Sequence, residues 1–295
     1  MRIFSKKTSG FTMMELVLVI VVMGLLSKYG VEFMAQAYKG FIFSKINNSL
    51  QNKSATAVEF ISKRLSYRIK DSVIARKTDG SFTSIQNASG DTYTILEWVG
   101  SDIDNLRGDA LPNWSGIIDL NAGDATNLHS PDTNTTALNN FINILSNGNT
   151  GLADSAIYFI GSNSDVNSSY GWNGVAISDQ EDAAMHPITY GSSPTDFSSS
   201  IADDFTSVDI YEYYKLAWTA YAIELTDDGN LTLYYDYQPW KGESYTDNGV
   251  KSSLIMQNID TFQFRSIGSL IKIQVCVNSP LTNQEYSICK EKTIF

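Results

Sequence analysis

One carboxylate stands inside an otherwise uncharged apolar run: Glu15, in the stretch of residues 11–26. At the centre of a bilayer a charged side chain costs about 2.5 to 3.5 kcal/mol on insertion scales, so an intramembrane Glu is by default a functional residue in need of a partner. An amine would serve. Arg2, Lys6 and Lys7 form a basic leader ending in Gly10. Cleavage between Gly10 and Phe11 would free an α-amino group that is positive below a pKa of about 8. Glu15 then lies about one helical turn from that amine. It can compensate the amine of its own chain or that of a neighbouring, staggered helix, and the second arrangement couples removal of a buried charge to assembly.

A basic leader, Gly10, Phe11, a Glu at the fifth position after the cut and an uninterrupted apolar run together resemble the type IV pilins and the pseudopilins of type II secretion. The resemblance implies a class III prepilin leader, residues 1–10, removed by a membrane-embedded prepilin peptidase. It implies methylation of the new N-terminal Phe11, a role for Glu15 in assembly, and storage in the inner membrane before incorporation into a pilus or pseudopilus. Partners would be other pilin-like subunits, the peptidase and an inner-membrane assembly platform. Basic residues before the apolar run place the leader in the cytoplasm and the rest of the chain, after about residue 29, outside.

Two other readings compete. A secretory signal peptide also has a basic leader and an apolar core, and Ala35-Gln36-Ala37 offers a small-x-small cleavage site. Lys28 and Glu32 between core and site, and Glu15 early in the core, speak against it. An uncleaved anchor is the other: residues 11–26 fall slightly short of the roughly 20 that span a bilayer, but the helix can draw on residues 30–34 while Lys28 snorkels.

Cys276 and Cys289 are the only cysteines. In an exported domain they would pair and close a loop worth about 3 kcal/mol; two reduced, buried thiols are the alternative. A disulfide tying down the C-terminal segment is also what the pilin resemblance implies. The histidines, His129 and His186, stand in polar segments without a Gly-x-Ser-x-Gly or His-Glu-x-x-His motif and read as surface residues. Paired aspartates (Asp102 and Asp104, Asp203 and Asp204, Asp227 and Asp228) read as solvated turn carboxylates. No enzyme activity and no cofactor are expected. Calcium is the one ion to consider, at Asp102, Asp104, Asn105 and Asp109 or at Asn163, Asp165, Asn167 and Ser169, although neither set has the EF-hand glycine and glutamate. Some minor pseudopilins bind this ion.

These residues need a scaffold. Apolar residues continue at three- and four-residue spacing through Phe41, Ile46, Leu50, Val58, Ile61, Leu65, Ile69 and Val73, which predicts one helix from residue 11 to about 74, roughly 95 Å long. Residues 11–35 would be its membrane-spanning part and 36–78 its amphipathic continuation. Gly30 and Gly40 are expected points of bending, each lowering helix stability by about 1 kcal/mol relative to Ala. A globular region, residues 79–295, follows. Strands are predicted at 93–99, at 215–225 and 231–237 joined by the turn 226–230, and at 259–265 and 270–277. Between about 100 and 209 the chain is rich in Asn, Ser, Asp, Thr and Gly, with an apolar island at 156–160, a helix around 138–145, and Trp114 and Trp172 as packing points. The fold expected is α+β: a long N-terminal helix packed on a C-terminal antiparallel sheet, with a loop-rich insertion.

The 295 residues carry 21 basic and 32 acidic side chains, a formal charge of −11. Loss of the basic leader makes the remainder more acidic still. Such a surface repels phosphate backbones, so no nucleic-acid contact is expected from the exported domain. The segment 60–73 and the run 254–264 before a hairpin look like minor pseudopilins of the J type or W-type minor pilins. The size and the insertion place the chain at a sparsely used or tip-proximal position rather than in a fibre's shaft. An exported, membrane-anchored adhesin or glycan-binding protein is the alternative function.

Overall fold

The computed structural model describes residues 10–88, 92–106, 111–162, 165–279 and 286–295. The chain divides into two compact units, Met1–Leu50 and Gln51–Phe295. Helix α1, Met13–Leu65, belongs to both.

In the first unit α1 passes through Gly24, Gly30 and Gly40 without interruption. Every residue from 10 to 41 is exposed, including Leu16, Val17, Leu18, Ile20 and Leu25. The stretch is long and apolar enough to cross a membrane.

From Gln51 onward α1 is amphipathic. Ala57, Val58, Ile61 and Leu65 recur at helical spacing and are buried where the helix packs on antiparallel sheets. Lys292 reaches Glu59 on its outer side at 2.6 Å. The helix ends at Leu65, nine residues before the expected point. Tyr67 N–H and Arg68 N–H bond to the carbonyls of Arg64 and Leu65, which tightens the last turn. The buried Arg68 guanidinium donates to Leu65 O at 2.8 Å. Ile69 N–H then bonds Val99 O, and Ser101 N–H bonds Tyr67 O, so a neighbouring strand captures the backbone. Ile69 and Val73 are buried as their spacing suggested, but from non-helical backbone.

Three antiparallel sheets follow. Strands β1 (Ile74–Arg76), β2 (Phe82–Ser84) and β3 (Ile95–Gly100) join three later ones to form a six-stranded sheet. The next strands and helix are β4 (Leu128–His129), α2 (Thr135–Leu145), β5 (Ala156–Phe159), β6 (His186–Tyr190), β7 (Asp196–Ser199) and β8 (Tyr214–Ala217). Their strands make a five-stranded sheet in the order β4-β7-β6-β5-β8. The loop-rich segment thus carries short strands of two to five residues and a core of its own, built on Trp114, Leu138, Phe159, Phe197 and Leu216. Asn134 caps α2, its Oδ1 accepting from Ala137 N–H at 3.0 Å.

The expected run 215–225 is broken. Trp218 separates β8 from β9 (Thr219–Leu225), and the two belong to different sheets. The break is held in place: Thr219 Oγ accepts from Asp236 N–H at 2.7 Å, and Trp218 O accepts from Gln238 at 2.9 Å. With β10 (Leu231–Tyr235) and β11 (Lys251–Met256) the six-stranded sheet is complete, in the order β11-β10-β9-β3-β1-β2. The β9–β10 hairpin closes through Thr226 N–H to Asn230 O. In the β3–β9 ladder Gly100 stands opposite Thr219, so the chain leaves this sheet and re-enters it at adjacent positions.

The last sheet contains β12 (Ile259–Ile267), β13 (Leu270–Asn278) and β14 (Ser287–Ile294). Ile267 pairs with Leu270 across a two-residue turn, and Gly268, at φ +62°, supplies the left-handed backbone this turn requires. The architecture is α+β.

Candidate functional site

Residues 1–9 of the leader lie outside the described residues. Gly10 and Phe11 are exposed, and Phe11 is 76% accessible. Thr12 is the residue before the first turn of α1. Its backbone N–H and its hydroxyl both donate to Glu15 Oε2 at 3.3 Å, while Glu15 N–H donates to Thr12 Oγ at 3.4 Å. This is a reciprocal capping box. The sequence Thr12-Met13-Met14-Glu15 carries its S/T-x-x-E signature, and reading Glu15 only as a charge in lipid missed it. The carboxylate therefore satisfies the helix start within its own chain, one residue from the amide that a cut after Gly10 would turn into an amine.

Cys276 and Cys289 form a disulfide. They are directly opposed in the β13–β14 ladder, so the bond joins an edge strand to the central strand of its sheet.

The calcium candidates do not converge among the described residues. Asp102 is buried at 4% exposure, Asp104 points to solvent, and Asp109 and Asn163 lie outside the described residues. Asp102 Oδ1 is bonded by Asn105 N–H at 3.2 Å. The Trp114 indole lies near this carboxyl but closes no hydrogen bond of normal geometry. Burial raises the Asp102 pKa to about 6, with the hydrogen bonds of Asn105 pulling it back. Asp102 is therefore no solvated turn carboxylate. Asp165 is exposed and turned onto Asn167 and Ser168, which hold its pKa below the usual value. No group of three His, Cys, Asp or Glu side chains is placed to share an ion among the described residues.

Neither histidine is a free surface residue. His186 lies on β6 at 2% exposure, with Nδ1 3.1 Å from Gln180 Oε1 and its ring 5.0 Å from that of Phe159. Burial lowers its pKa to about 4, so the ring is neutral. His129, one third exposed, places Nδ1 2.8 Å from Asp196 Oδ1. Burial pushes the Asp196 carboxyl up, but hydrogen bonds from His129, Ser193, Ser192 and Thr195 leave it below its ordinary value.

Two buried polar clusters went unread in the sequence. Glu97, fully buried in β3, accepts from Arg76 Nε and, at 3.0 Å, from Tyr237 OH. Arg76 also donates to Trp172 O at 3.0 Å. Burial raises the Glu97 pKa, while Arg76 and Tyr237 oppose the rise. The only signal was a Glu between Leu96 and Trp98 in an apolar strand. The second cluster centres on Asp236, which meets Lys251 Nζ at 2.8 Å and Thr150 Oγ at 2.6 Å. Compared with protein-family models, with curated proteins and with solved structures, the chain matches none, and its functional reading rests on its own residues.

Proposed function

We propose that this chain is a minor pilin or pseudopilin: a subunit stored in the inner membrane, cut after Gly10, methylated at Phe11, and assembled through the leading part of α1 near the tip of a fibre. One observation carries the reading. Every residue from 10 to 41 is exposed, the helix begins at Met13 just after the Gly10-Phe11 junction, and the apolar run 11–26 holds a single acid, Glu15, in the first helical turn. Apolar surface of that extent needs lipid or other helices to cover it. Glu15 would exchange its bonds to Thr12 for the amine of a neighbouring subunit as the helices pack. In this reading the leader faces the cytoplasm and the domain the periplasm, and the chain is a substrate of the prepilin peptidase rather than an enzyme.

Mass spectrometry of the mature N-terminus tests the proposal. A chain starting at N-methylated Phe11 is expected, and an intact leader or a start after Ala37 would refute it. Glu15→Ala should be cleaved normally yet fail to enter fibres; full assembly of that variant would remove the role given to the carboxylate.

A further inference from the structure

Where α1 ends and the five-stranded region begins, a cleft of about 320 Å³ opens between the last turns of the helix, the segment after β3 and the start of β9. It is lined by Phe60, Lys63 and Arg64 of the helix, by Ser101 and Asp104, and by Tyr221. The volume is at the lower end of small-ligand sites.

Arg64 is held by rings. Its guanidinium carbon lies 5.1 Å from the centroid of Phe60 and 5.3 Å from that of Tyr221. Tyr221 is itself fixed, with Trp98 at 5.6 Å on one side. Gly100 lets its ring lie against the backbone, because a Cβ at that position would run into it. One part of the guanidinium edge faces the Tyr221 hydroxyl, and with five N–H donors in its plane the group keeps others that can grip a carboxylate. Neither Lys63 nor Arg64 makes an ion pair among the described residues, in a chain whose formal charge is −11. The helix dipole favours basic residues in a last turn. It gives no reason for two rings beside one guanidinium, for a glycine beneath one of them, or for an open cleft that hydroxyl and carboxylate groups line together with the cations.

The geometry points to an acidic sugar as the ligand of this cleft, with its carboxylate on Arg64 and Lys63, its ring against the exposed Phe60, and its hydroxyls on Ser101 and Asp104. An aromatic face takes up the apolar side of a pyranose, and the opposed charges distinguish a uronate from a neutral hexose. The inference draws only on residues of the second unit and is independent of the assembly proposed for α1.

The test uses the full chain in a zwitterionic detergent that carries no sugar, titrated calorimetrically with glucuronate and galacturonate, and with galactose and acetate as comparisons. Saturable binding of a uronate is expected, with galactose and acetate at least tenfold weaker. Arg64→Gln should weaken the uronate at least tenfold with the near-ultraviolet circular dichroism unchanged. Lys63→Gln alters an exposed side chain and gives a second reading, a smaller loss, if the first variant does not fold. Absence of saturable uronate binding, equal binding of galactose or acetate, or full affinity in the folded variants would overturn the inference.

Discussion

Glu97 and His186 are both buried on strands and burial shifts both towards the uncharged form, yet only Glu97 is met by an opposite charge. In the six-stranded sheet Glu97 has Arg76 and Tyr237 against its two oxygens, and Asp236 has Lys251 and Thr150. Each acid there is given a basic partner. In the five-stranded region His186 has one neutral partner, Gln180, and Asp102 has Asn105, so each shifts towards its uncharged form. The difference follows from reach. Strands β3 and β10–β11 bring long basic side chains from neighbouring strands to the acid, whereas Gln180 and Asn105 come from local turns. Matched ions hold a particular register; neutral groups only avoid a penalty.

The comparison can be broken most forcefully at Arg76. Arg76→Ala leaves Glu97 buried without its cation and should lower unfolding stability by about 3–5 kcal/mol, while Arg76→Met with Glu97→Leu should recover most of it. Denaturant midpoints of the single and double variants give the answer. If the single variant were neutral, the six-stranded sheet would not depend on matched charge.

At His186 the expected effect is about 3 kcal/mol and depends on pH. The folded pKa, about 4, lies below the unfolded value of 6.5, so only the unfolded chain takes up the proton between them. The contribution is complete above about 6.5 and is lost as pH falls to about 4. His186→Gln should remove this acid-side loss, measured as the difference in denaturant midpoint between pH 7.5 and 4.5.

Asp102 has the opposite sign and, at about 2 to 3 kcal/mol, the smallest of the three effects. Its folded pKa, about 6, lies above the ordinary 3.8 of an Asp, so the fold holds the proton more tightly and stability falls as pH rises through that window. Asp102→Asn keeps an oxygen for Asn105 N–H and should stabilise the protein at pH 7.5 but not at pH 3.5. In the parent protein the two groups partly cancel between about pH 4 and 6. Each substitution should therefore uncover the slope of the other, and parallel pH profiles for the two variants would show that the region does not bury its groups neutral.

The sequence made the regular parts readable. Alternation and turn residues located β9–β10 and β12–β13, because each strand there is long enough to show its period. The end of α1 was not readable, since Ile69 and Val73 keep helical spacing while Arg68 and β3 redirect the backbone. Strands of two to five residues in the insertion have too few positions for a period to emerge. The pairing of the two cysteines was legible from residue type and an exported setting, whereas the roles read for Gly10, Phe11 and Glu15 belong to the proposed function. The partners of Glu97 and Asp236 were not, because Arg76 and Thr150 are distant in sequence and only the sheets bring them together.

Gly100 opposite Thr219 means that residues 101–218 occupy the place of an ordinary hairpin loop. A two-residue connection could bridge the same gap without altering the β3–β9 ladder, so the topology permits this whole segment to be exchanged as a cassette. Packing resists the exchange. Tyr158, Tyr170, Trp172 and Met185 of the segment sit in the same core as Ile74, Ile95 and Trp240, and any replacement has to bring large apolar side chains of its own to seal that slot.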